Sequence, residues 1–98
     1  MSFPEFLRSL KQEDVPAGIG VPLQALWQAG RGKWDEAHRL VQDDSAAEAA
    51  WVHAYLHRQE GDVGNADYWY TRAGKKRPTL SLEQEWESIC SELLVRTV

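Results

Sequence analysis

The sequence predicts an all-α fold: a compact α-α superhelix-like stack of two helix pairs, with extra N- and C-terminal helices. Three observations carry the prediction. Apolar residues recur at spacings of three and four, and strict apolar/polar alternation is absent. Ser-x-x-Glu/Gln helix-start signals stand at Ser2, Ser45 and Ser81. A segment opening at Gly32 recurs at Gly61, an offset of 29, and each copy follows one helix and begins another.

Taken in order, Ser2-Phe3-Pro4-Glu5 opens the first helix. Ser2 caps, Pro4 sits in the first turn where its missing N–H is harmless, and Glu5 completes a capping box. Phe3, Phe6, Leu7 and Leu10 form its apolar stripe. Gln12 to Gly20, with Pro16, Gly18 and Gly20, is a loop. Pro22 to Gly30 is a short helix with Leu23, Leu26 and Trp27 on one side, and Gly30-Arg31-Gly32 stops it. Trp34 to Gln42 carries Trp34, Ala37, Leu40 and Val41 at helical spacing, and Asp43-Asp44-Ser45 breaks it.

Ser45-Ala46-Ala47-Glu48 reads as a second capping box, opening the longest apolar helix, which runs to Glu60. Gly61-Asp62 is a turn with Asp62 placed to cap. Val63 to Ala73 holds Tyr68-Trp69-Tyr70 and is ended by Gly74, with Pro78 closing the connection. Ser81-Leu82-Glu83-Gln84 starts a C-terminal capping helix within 80–97, with Leu82, Trp86, Ile89 and Leu93 inward.

The totals limit the function. A chain of 98 residues is one domain, 1–98, with repeat-like hairpins at 22–43 and 45–78. The net charge of -4 argues against non-specific binding to nucleic acid or to an anionic membrane. No apolar run approaches the roughly 20 residues of a membrane span. Cys90 is the single cysteine and no secretion signal is evident, so a reducing cytoplasm is expected. No catalytic motif stands out, and neither an enzymatic activity nor a cofactor is expected.

The second hairpin resembles a tetratricopeptide repeat. Gly61, Ala66, Tyr70 and Pro78 fall at that family's spacing for its turn glycine, small residue, aromatic and closing proline. In its first helix the corresponding slots hold Ala50, His53, Ala54 and His57, so histidines replace large apolar residues. The first hairpin keeps Gly32, Trp34 and Ala37, with Gly30-Arg31-Gly32 as an apparent insertion. The resemblance covers residues 22–78. The whole chain also resembles a small, uncharacterised bacterial protein family with a His-Ala-Tyr-Leu-His-Arg segment followed by Tyr-Trp-Tyr, which brings no activity with it.

Two groups of residues are candidates for function. His53 and His57 stand one above the other on a helix, with Glu60 three further on. Imidazole and carboxylate are ligands for zinc or iron, and His38 or Asp67 joins them only through the fold. The competing reading packs both histidines between helices, bonded to tyrosine hydroxyls, Asp62 or backbone. The second group is Trp51, Tyr55 and Arg58, with Tyr68 and Trp69. By resemblance, the Trp51–Tyr55–Arg58 stripe implies the concave groove that binds extended peptides. The competing reading for Trp69 is packing against Trp86.

These observations lead to one expectation and two alternatives. The expectation is a small cytoplasmic interaction module binding a protein or peptide through Trp51, Tyr55, Arg58, Tyr68 and Trp69. It requires a large exposed aromatic beside Arg58. The alternatives are a ligand or metal site at His53, His57 and Glu60, and a purely structural subunit. Homo-oligomerisation is expected because two repeats leave apolar surface uncovered.

Overall fold

The computed structural model describes residues 1–96 and contains α1 (Phe3–Ser9), α2 (Val21–Gly30), α3 (Trp34–Val41), α4 (Ala47–Gln59), α5 (Val63–Arg72) and α6 (Leu82–Arg96). The described residues contain no strand, and the all-α class stands. The end of the predicted capping helix, at residue 97, and the end of the domain lie outside the described residues. No described helix is long and apolar enough to cross a membrane.

The offset of 29 is visible in the backbone. After α2, Gly32 donates to Ala29 O and Lys33 to Gln28 O. After α4, Gly61 donates to Arg58 O and Asp62 to His57 O, the same pair of bonds shifted by 29. Both satisfy the last free carbonyls of a helix through a residue in the left-handed region, where glycine carries no Cβ penalty. Gly32 has φ 79° and Gly61 φ 88°. Each turn brings its two helices together, so α2 pairs with α3 and α4 with α5.

Three of the caps form as read. Ser2 and Glu5 exchange bonds at α1, Ser81 and Gln84 do so at α6, and Asp62 accepts from Asn65 N–H at α5. The box at Ser45 does not form. Asp44 Oδ1 takes the Ala46 N–H at 2.9 Å, a local Asx-type bond that makes Ala46 the N-cap instead.

The hairpins stack with α2 and α3 against α4, while α6 crosses back over α1, α2 and α4. Among the described helices, the α5 backbone packs closely only on α4, and α5 reaches α6 through the Tyr70 side chain. Trp86 is the keel of α6. Its indole N–H donates to Leu26 O at 2.9 Å, and its ring meets Phe3 and Phe6. The expected packing of Trp69 on Trp86 is therefore not what forms; the two rings belong to different layers. Leu82, expected inward, is exposed, and Glu85 takes an inward place at 2 % exposure. Its carboxylate accepts from Arg58 at 2.8 Å and from the Tyr70 hydroxyl, while Arg58 also donates to Leu80 O. Burial and this hydrogen bond raise the Tyr70 phenol far above its usual range.

Three variants test this packing. A Cβ on Gly30 would lie 2.8 Å from Trp86 Cζ2 and 3.1–3.2 Å from the Leu10 methyls, so Gly30→Ala is expected to cost about 1–3 kcal/mol. Gly64, in the first turn of α5, has nothing within 4 Å, and Gly64→Ala is expected to be neutral or to gain up to about 1 kcal/mol. Arg58→Ala leaves Glu85 buried without its cation, and a loss of about 3–5 kcal/mol is expected. Urea denaturation reads all three.

Candidate histidine centre

Three histidines meet where the first hairpin touches the second. His38 lies on α3, one turn after Trp34, and both point at α4. His53 and His57, one turn apart on α4, answer from the other side. Trp34 is anchored by its indole N–H on Leu56 O at 2.7 Å and stacks on His38 at 4.8 Å between centroids. From α5, Trp69 stacks on His53 at 4.0 Å. The imidazoles are thus clamped ring to ring between two indoles.

The nitrogen geometry is specific. His38 Nε2 and His53 Nε2 share a hydrogen bond at 3.1 Å, one ring donating and the other accepting according to tautomer. One ring nitrogen from each of His38, His53 and His57 lies within 4.8 Å of the other two. His57 Nδ1 is 2.7 Å from Glu60 Oε1. A carboxylate only accepts, so Nδ1 carries a proton, and in the neutral ring the lone pair then sits on Nε2. Asn65 Nδ2 donates weakly to that lone pair at 3.4 Å. The Nδ1 of His53 is buried without a hydrogen-bond partner, although the residue is only 4 % exposed.

Burial sets the electrostatics. It lowers the His53 pKa to about 4, with the nearby His57 and His38 adding to the shift. Burial also lowers His38, again with help from His57, against the pull of Glu60 and Asp35. Both rings are held unprotonated at neutral pH, the form that donates a lone pair.

The predicted residues fall into distinct places. His53 and His57 come together as the sequence suggests, but Glu60 backs His57 and His38 supplies the third nitrogen. His38 had one sequence signal, its position four after Trp34 on a common face. The Trp51–Tyr55–Arg58 stripe is not an open groove. Tyr55 is buried, with its phenol pushed up to about 12 chiefly by burial, and Arg58 is paired with Glu85 of α6. Trp51 is also buried, with Lys75 Nζ 4.2 Å from its ring centre. The required exposed aromatic beside Arg58 is therefore missing, because α6 covers that face. Trp69 is half-buried on His53. Tyr68 is 54 % exposed and accepts from Arg72 at 3.2 Å. In comparison with known proteins, no family model, curated protein or solved structure gives a match to this chain.

The depressed pKa of His53 links stability to acid. Between about pH 4 and 6.5 the unfolded chain binds more protons than the folded one. Stability is therefore full above pH 6.5 and falls as the pH drops towards 4. Urea midpoints measured across this window are expected to fall with acid, and His53→Gln is expected to flatten the fall.

Proposed function

We propose that the chain binds a divalent transition-metal ion of the zinc class through ring nitrogens of His38, His53 and His57. The observation that carries the reading is the 3.1 Å approach of two Nε2 atoms with a third imidazole in reach. Bonds of about 2.0–2.1 Å at a tetrahedral angle put neighbouring ligand nitrogens roughly 3.3 Å apart. Imidazole donors favour zinc, copper, nickel and cobalt, whereas magnesium and calcium take oxygen. Ligands must be unprotonated, and burial keeps His38 and His53 so. Glu60 behind His57 is the carboxylate–histidine arrangement that orients a ligating ring. The donors come from α3 and α4, so a bound ion ties one hairpin to the next.

The test uses untagged chain stripped of metal. One Co(II) or Zn(II) per chain is expected to bind, and His38→Ala and His53→Ala each to weaken binding at least about tenfold. Metal at a hundredfold excess over Kd is expected to add about 2.7 kcal/mol of stability. No uptake, or uptake unchanged in both variants, overturns the reading.

A second reading is contact with a protein or peptide partner through Tyr68 and Arg72. It is favoured by the exposed Tyr68 ring, with the Arg72 guanidinium bonded to its hydroxyl. A photo-crosslinking residue at position 68 is expected to capture that partner in cells, and one at position 55 to capture nothing. Equal labelling from both positions sinks it.

A further inference from the structure

An ion of the zinc class takes four ligands, and three imidazoles supply three of them. Among the described residues, the group of mutually close donors at the hairpin junction is His38, His53 and His57, with no carboxylate or thiolate in it. Glu60 is engaged at His57 Nδ1, on the other side of that ring from the ligating Nε2. The fourth place falls to a group that stands close to Nε2.

The Asn65 side-chain amide is such a group, with Nδ2 3.4 Å from His57 Nε2. The turn after α4 puts it there. Gly61, at φ 88°, folds the first turn of α5 back beside the last turn of α4. Asp62 then caps α5 by accepting the Asn65 N–H at 3.2 Å, which fixes the backbone at residue 65. Asparagine near a helix start ordinarily bonds its side chain to nearby backbone. Here Asp62 has that role, and the Asn65 amide reaches back to a histidine instead. Asn65 is exposed whereas His53 and His57 are buried, so its amide stands where the cluster meets solvent.

The spacing also fits. Neighbouring ligand atoms on a tetrahedral ion lie roughly 3.3 Å apart. The Nε2 atoms of His38 and His53 are 3.1 Å apart, and His57 Nε2 and the Asn65 amide are 3.4 Å apart. Two such pairs are what opposite edges of a tetrahedron require. An amide carries a donor and an acceptor on one carbon, and rotation about its last torsion exchanges them. Without an ion, the Asn65 NH2 group donates to the His57 lone pair. An ion takes that lone pair and repels the donor. The turned amide presents Oδ1 to the ion in its place.

We propose that Asn65 Oδ1 is the fourth ligand, which closes the site with donors from α3, α4 and α5. The inference rests on the metal-binding reading and completes its ligand set. It also assigns the chemistry of the ion. With a protein oxygen in the fourth place, no water is held there for activation, and the ion acts as a structural tie.

Two substitutions test this ligand. Asn65→Ala removes the amide and spares the cap of α5, which uses only the backbone N–H of residue 65. Asn65→Asp keeps an oxygen at the same reach. The probe is Co(II) alone, added to untagged, metal-free chain and followed by azide. The visible d–d absorption of Co(II) reports tetrahedral coordination, and azide shifts it where a ligand place is open.

The unmodified chain is expected to give a tetrahedral spectrum that azide leaves unmoved. Asn65→Ala is expected to bind Co(II) at least about tenfold more weakly, with a spectrum that azide shifts. Asn65→Asp is expected to resist azide as the unmodified chain does. An azide shift in the unmodified chain overturns the assignment, because a displaceable water then holds the fourth place. Asn65→Ala that stays closed to azide overturns it as well. If Asn65→Ala binds no Co(II), Asn65→Asp decides: resistance to azide supports the assignment and an azide shift overturns it. If the unmodified chain gives no Co(II) spectrum, the assignment and the metal reading fall together, and that outcome is distinct from the others.

Discussion

The molecule is organised by the fact that α4 has no wet face. Nine consecutive residues, Ala49 to His57, are buried. A helix buried all round needs a neighbour on every side. Here α2 and α3 lie against it, α5 pairs with it and α6 crosses it. Small residues make the crowding feasible, since Ala49, Ala50 and Ala54 let neighbouring backbones come close. Its polar side chains, cut off from water, must find partners inside the protein.

Those partners divide the molecule into two polar centres. On one side Arg58 meets Glu85 and, through that carboxylate, Tyr70. This network joins α4, α5 and α6 at a single point and fixes where α6 sits. A buried ion pair adds little stability over an apolar contact of the same volume, but breaking it is costly. A shifted α6 would leave the buried Glu85 carboxylate and Arg58 without each other. On the other side His53 and His57 meet His38, with Trp34 and Trp69 as walls. The first centre is closed by opposite charges. The second consists of like rings, with one buried nitrogen left unpartnered.

Periodicity and capping chemistry were enough to read the helices, because both are local. The caps at Ser2, Asp62 and Ser81 depend only on residues three apart, and each forms. Ser45 fails for a reason that is also local but competitive: Asp44 reaches the neighbouring N–H first. What the sequence leaves open is which face meets which neighbour. Trp51, Tyr55 and Arg58 share a stripe, yet whether that stripe is a groove or an interior depends on α6 arriving from 27 residues away, the separation of Arg58 and Glu85. His38 is a similar case. Its spacing from Trp34 gives its face, and only the packing of α3 on α4 brings it to His53. Glu85 was the least legible, because a glutamate beside an apolar stripe ordinarily faces water.

The way α6 is held has a consequence for how the chain is made. The hairpins close through near neighbours in sequence, but Trp86 bonds to Leu26 across 60 residues. The α6 helix is also the last of the six to leave the ribosome, where chains emerge at about 5–20 residues per second. For several seconds the nascent hairpins carry the Trp51–Tyr55–Arg58 face bare, with an unpaired cation among aromatic rings. Until α6 docks, the helix that covers this face in the folded protein is missing. In that interval the chain is most open to chaperones and to mispairing with a neighbouring copy.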